Sequence, residues 1–142
     1  MMSIKLTPYL VLEGNATDAI ALYQEVFGAE VLMRQAFGDL PPNPEFPLPD
    51  SVLDKIAHAH LKIGESELML YDTFPGSPYT RGNNMTVCVT LPNAERATQV
   101  FEKLADGGHI VQPLQATFFS PAFGTVTDAF GITFTVTTEA AQ

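Results

Sequence analysis

The stretch Asn15-Ala16-Thr17-Asp18-Ala19-Ile20-Ala21-Leu22-Tyr23-Gln24-Glu25-Val26 returns 78 residues later as Asn93-Ala94-Glu95-Arg96-Ala97-Thr98-Gln99-Val100-Phe101-Glu102-Lys103-Leu104. The Asn-Ala pair and Ala19/Ala97 are identical between the copies, and Leu22/Val100, Tyr23/Phe101 and Val26/Leu104 are like-for-like apolar pairs. Each copy carries its surroundings with it: an apolar strand-like run precedes (8–13 and 86–91), and glycine follows (Gly28; Gly107 and Gly108). A fixed-period echo with matching flanks reads as one folding unit written twice.

Working outward, Asn15 and Asn93 read as N-caps, and Ala19, Ile20, Tyr23 and Phe27, like Ala97, Val100, Phe101 and Leu104, lie at helical spacing. Residues 4–13 predict a strand with Tyr9 and Val11 on one face and Pro8, Leu10 and Leu12 on the other. Residues 29–37 form a second strand. Residues 55–63 alternate, placing Ile56, His58, His60 and Lys62 on one face and Ala57, Ala59, Leu61 and Ile63 on the other. Residues 67–72 supply the paired strand of a hairpin. The second copy repeats the order with strands over 84–91, 110–119, 123–128 and 132–138. The fold class expected is α+β, two βαβββ modules whose curved mixed sheets surround a cleft. Both belong to a single domain over 1–142, with module one at 3–73, a turn-rich joint at 74–83 and module two at 84–138. Between the second and third strands, five prolines in nine positions (41–49) rule out helix or central strand. That segment reads as a surface loop or as a lid or arm.

Composition narrows the function classes. Sixteen acidic against seven basic residues give a formal charge of −9, and the bases never cluster. A nucleic-acid partner normally requires a basic face, so none is expected. No apolar run approaches the roughly 20 residues of a membrane-spanning helix, and the start carries no apolar leader, so the expectation is a cytoplasmic protein without membrane contact. The lone Cys88 has no internal disulfide partner.

Two βαβββ modules of this length resemble the vicinal oxygen chelate superfamily, which includes glyoxalase I, extradiol dioxygenases and the bleomycin- and fosfomycin-resistance proteins. The phrases Pro8-Tyr9-Leu10, Gly14-Asn15-Ala16, Phe27-Gly28-Ala29-Glu30, Ile56-Ala57-His58-Ala59, Val126-Thr127-Asp128 and Phe130-Gly131 resemble its PhnB-like subgroup. The resemblance implies a divalent metal held by His, Gln or Glu on the first and fourth strands of each module. Aligned on the helices, those positions are Pro8, Thr86 and Thr135, with the remaining one near Leu70, Tyr71 or Asp72. Since proline offers no ligand and threonine a weak one, the expectation is no metal and no other cofactor. Members have carried a demethylubiquinone methyltransferase label, but this chain has no glycine-rich strand-to-helix turn to hold a nucleotide moiety.

The function expected is therefore a metal-independent small-molecule-binding protein acting as a homodimer. Leu10, Leu12, Met69, Tyr71, Cys88, Phe118, Phe119 and Phe123 are the candidate ligand-lining residues, against the alternative that they are core. The competing reading is a divalent-metal-dependent glyoxalase- or lyase-type enzyme with a relocated site at His58, His60 and Asp72. The two imidazoles share one strand face and titrate near neutrality, as acid–base work needs.

Overall fold

The computed structural model describes residues 3–74 and 76–139. The chain forms two compact units, the first running to Tyr79 and the second from Thr80, a division inside the expected joint. In the first unit, β1 (Tyr9–Leu12), α1 (Ala16–Phe27), β2 (Glu30–Ala36), β3 (Ile56–Ile63) and β4 (Ser66–Asp72) build a four-stranded sheet in the order β1-β4-β3-β2. In the second, β5 (Val87–Leu91), α2 (Ala94–Ala105), β6 (His109–Gln115), β7 (Phe123–Thr127) and β8 (Thr133–Thr138) give the order β5-β8-β7-β6. In each sheet the first strand pairs parallel with the fourth and the other pairs are antiparallel. This is the duplicated α+β plan expected from the repeat, and the two helices begin and end 78 residues apart.

Each sheet buries one face beneath its helix. In the first unit Leu10, Leu12, Ala59, Leu61, Leu68 and Leu70 pack with Ala19, Ile20, Tyr23 and Val26 of α1. In the second, Leu91, Val126, Phe134 and Val136 meet Ala97, Val100, Phe101 and Leu104 of α2. The side chains one position away, on the opposite faces, are left half-buried or exposed, apart from Thr127.

The joint between first strand, helix and fourth strand is made by different chemistry in each unit. In the first, buried Asp72 accepts hydrogen bonds from the amides of Gly14 and Ala16 at Oδ1 and of Ile56 at Oδ2, all at 2.9 Å. It thereby satisfies the first amide of α1 from a residue 56 positions away. Asn15, expected to cap that helix, makes no capping bond with its side chain, and the first helical amide, of Ala16, is taken by Asp72. Asn93 does cap α2, accepting from Arg96 N at 2.8 Å. At the corresponding end of the second unit, where Leu91 pairs with Thr138 as Leu12 does with Asp72, a hydroxyl cluster replaces the carboxylate. There Ser120 Oγ donates to the Ala122 carbonyl at 2.7 Å, lies 2.9 Å from Thr138 Oγ1, and accepts the Thr138 amide at 3.3 Å.

Several local features depart from expectation: β1 begins at Tyr9 and ends at Leu12 rather than covering 4–13, and β5 begins at Val87 rather than at residue 84. Strict alternation over 55–63 places Ile56 beside His58, but the register with β2 slips between Gln35 and Ala36. That bulge re-aims Ile56 into the core, where it is 1% exposed. Strand β6 ends at Gln115 rather than Phe119, and Pro113 is tolerated because β6 is an edge strand. The proline-rich segment is flanked by short 3-10 turns at Phe37–Asp39 and Asp50–Val52, and its base is closed by hydrogen bonds from Phe37 and Gly38 amides to the carbonyls of Lys55 and Leu53.

Candidate functional site

Strand register decides which side chains face away from the helix in the first unit. Tyr9 pairs with Met69, Val11 with Tyr71, His60 with Met69 and Met33, and His58 with Gln35. Paired residues share a face, so Tyr9, Val11, Gln35, His58, His60, Met69 and Tyr71 lie together on the uncovered side, with Glu67 beside Lys62 at one end.

A short hydrogen bond of 2.6 Å joins Tyr9 Oη to His58 Nδ1. Their rings meet edge-on with centroids 5.4 Å apart, and Tyr71 approaches Tyr9 edge-on at 5.0 Å. Desolvation, with Tyr71 adding to it, raises the Tyr9 phenol above its ordinary value, so Tyr9 stays protonated and able to donate across the neutral range. Two residues further along β3, His60 Nε2 sits 2.7 Å from Glu67 Oε1, an ion-pair distance without the alignment of a good hydrogen bond. Glu67 is also bound by Lys5, and that hydrogen bond is the main reason its carboxyl is held below the usual glutamate range. The face thus carries two polar pairs, Tyr9 with His58 and His60 with Glu67, separated by methionine and tyrosine side chains.

The uncovered face of the second unit has a different character. The register aligns Cys88 with Thr135, Thr90 with Thr137, Thr125 with Thr135 and Thr127 with Thr133, producing a field of hydroxyls around one exposed thiol. Two pairs satisfy each other, Thr86 with Thr135 at 2.9 Å and Thr127 with Thr133 at 2.8 Å. At its edge Phe118, Phe119 and Phe123 form an edge-to-face chain with successive centroids 5.1 Å apart, and the Phe118 side chain is wholly exposed.

Several expected site residues fall elsewhere. Leu10 and Leu12, expected to line a ligand surface, lie under α1 at 8% and 0% exposure, so they are core. Asp72, expected to join His58 and His60, alternates with Leu70 onto the helix side and spends both carboxylate oxygens on backbone amides. Met69, Tyr71, Cys88, Phe119 and Phe123 do lie on uncovered faces or their margins. The helix-based alignment also misplaces the first-strand position. From Leu12 to Ala16 the chain takes one residue more than from Leu91 to Ala94, so Cys88 corresponds to Tyr9 rather than Leu10. Tyr9 and Glu67 were missed because β1 is apolar on both faces and parity alone does not say which side meets the helix. The alternation of Leu68 and Leu70 with Glu67, Met69 and Tyr71 was the available signal.

The family-type metal can be tested against these donors. The open-face side chains of the first and fourth strands are Tyr9, Val11, Glu67, Met69 and Tyr71 in one unit and Thr86, Cys88, Thr90, Thr135 and Thr137 in the other. They include no imidazole, their one carboxylate, Glu67, is engaged by Lys5 and His60, the Thr86 and Thr135 hydroxyls are spent on each other, and Tyr9 is engaged with His58. This donor set does not fit an ion that takes nitrogen and carboxylate oxygen ligands. Among the described residues, no three His, Cys, Asp or Glu side chains gather as a metal-holding group. No described helix is long and apolar enough to cross a membrane.

Comparison with known proteins gives three concordant findings. The model of the Glyoxalase/Bleomycin resistance protein/Dioxygenase superfamily matches residues 5–136. Protein YjdN of Escherichia coli K12 is 35% identical over 136 residues, covering 89% of this chain and 90% of that protein. Among solved structures, protein PA1353 from Pseudomonas aeruginosa superposes with a TM-score of 0.85 at 33% identity, covering 96% of this chain and 98% of that one. The PhnB protein of Bacillus cereus, described as a putative 3-demethylubiquinone-9 3-methyltransferase, gives a TM-score of 0.78 at 27% identity, covering 95% and 99%.

Proposed function

We propose, from the premise that this chain belongs to the Glyoxalase/Bleomycin resistance protein/Dioxygenase superfamily, that it is a PhnB-like small-molecule-binding protein working without the metal of its catalytic relatives. The observation that carries this reading is the Tyr9–His58 hydrogen bond. It stands on the uncovered face of the first unit. Half-exposed Met69, Tyr71 and Tyr9 around it offer a polarisable surface to an organic ligand. The methyltransferase description of the Bacillus protein is not carried over, since no glycine-rich strand-to-helix turn is present to hold a nucleotide moiety. The competing reading, a lyase-type site at His58, His60 and Asp72, loses its carboxylate to the backbone of Gly14, Ala16 and Ile56.

We place the protein in the cytoplasm as a homodimer. Its charge of −9 favours solubility, and the exposed thiol of Cys88 suits a reducing compartment. Native mass spectrometry of the as-purified protein tests the reading in one measurement. The expected result is a dimer mass with organic adducts and no stoichiometric transition metal. One tightly retained metal ion per chain would overturn it.

A further inference from the structure

The Tyr9–His58 pair has a property that does not depend on where its protons sit. A phenol and a neutral imidazole joined by one hydrogen bond retain one free donor and one free acceptor. If Tyr9 donates to Nδ1, the far nitrogen of His58 carries the remaining proton and Tyr9 Oη keeps an accepting lone pair. If Nδ1 carries the proton and donates to Tyr9, then Tyr9 donates outward and the far nitrogen accepts. In both arrangements the two free valences lie at opposite ends of the pair, one on the Tyr9 oxygen and one on the His58 nitrogen remote from it. Among the described residues that nitrogen has no protein partner, while Nδ1 is taken by Tyr9 at 2.6 Å.

Around this pair the surface is polarisable. Tyr71 stands edge-on to Tyr9, Met69 lies on the next strand in register with Tyr9, and Met33 of β2 pairs with His60. Aromatic edges and thioethers favour a planar ring over an aliphatic chain. The charge of −9 over the whole protein disfavours an anion, and the nearest carboxylate, Glu67, is already bound by Lys5 and His60. An ammonium group would satisfy only the acceptor valence.

We propose that the uncovered face of the first unit takes a neutral, planar aromatic molecule carrying a hydrogen-bond donor at one end and an acceptor at the other, engaged by Tyr9 and His58 respectively or in reverse. This rests on the small-molecule-binding reading and specifies its ligand class. The pair selects by complementarity and its protons rearrange to suit the ligand, so either orientation of the molecule is accommodated. Tyr9 and His58 act here as recognition residues.

Two chromogenic probes separate this from generic apolar adsorption. In 4-nitrophenol, below its ionisation pH, a hydroxyl donor and a nitro acceptor sit at opposite ends of one ring; 4-nitroanisole keeps the ring and the acceptor but has no donor. Titrated against the intact protein by equilibrium dialysis, nitrophenol should bind about tenfold more tightly than nitroanisole, the discrimination one additional hydrogen bond supplies. The double substitution Tyr9→Phe with His58→Phe should bring the affinity ratio close to one, whereas either residue alone still offers an acceptor to the hydroxyl and keeps part of the preference. Because the ratio is read, a general loosening of the fold moves both probes together and does not imitate the result. Equal affinities in the wild type, a preference that survives both substitutions, or no binding of either probe would overturn the inference. Any of these outcomes beside organic adducts in native mass spectrometry would sink the ligand class alone and leave the binding reading standing.

Discussion

Replacing Asp72 by alanine should come close to unfolding the first unit, although the residue touches no other charged side chain. Its carboxylate receives three amide donors at 2.9 Å: Gly14 in a partly buried setting and Ala16 and Ile56 in buried ones. Alanine leaves all three without an acceptor, and each buried orphan costs about 1–3 kcal/mol. Counting the two buried donors fully and the third at a discount for water access, the expected loss is about 4–6 kcal/mol, against a total stability of about 5–15 kcal/mol for a domain. Asparagine is the informative comparison. Its single carbonyl oxygen can serve Gly14 and Ala16, but its amide then meets the Ile56 N–H donor against donor, so the expected loss is about 2–3 kcal/mol. Urea unfolding followed by far-ultraviolet circular dichroism reads both, with the alanine midpoint falling by about 2 M or more at an ordinary urea dependence. If two transitions resolve, only the one belonging to the first unit should move. A D72A protein within about 1 kcal/mol of the wild type would refute the reasoning, since three orphaned donors cannot be that cheap. A catalytic Asp72 would give the opposite pattern, with stability intact and turnover lost.

The equivalent joint in the second unit gives a milder expectation. Ser120→Ala removes the oxygen that holds Thr138, at a cost of about 2 kcal/mol, and denaturant titration showing no change would contradict that role. Gly108→Ala should destabilise by about 3 kcal/mol, because a Cβ there runs into the backbone carbonyl of Thr127; an unshifted melting temperature would mean that β6 and β7 do not approach as described. Glu67 carries a pH signature. Its folded-state pKa is lowered, chiefly by the Lys5 hydrogen bond, so it adds stability that is present above the ordinary glutamate value of about 4.3 and is lost as pH falls through the lower folded value. The stability gap between wild type and Glu67→Gln should therefore be open at neutral pH and close in acid. It should also shrink with added salt, and a gap indifferent to pH would remove the attribution.

Local pattern alone determined the duplication, the two helices and the identity of most strands. Those features depend on short-range periodicity, and the repeated stretches at 15–26 and 93–104 carried it twice. It also determined that His58 and His60 share a strand face, since alternation is a property of the extended backbone. Tertiary structure alone decided which face of each strand meets the helix. A strand such as Tyr9–Leu12 is apolar on both sides, and its orientation follows from pairing with β4, whose residues lie some sixty positions away. One additional residue between β1 and α1 makes Tyr9 rather than Leu10 the counterpart of Cys88, a change the helix alignment does not register. The role of Asp72 was hidden for the same reason. A carboxylate at a strand end reads as a site candidate until the chain brings three distant amides to it, and burial then turns a reactive group into a structural one.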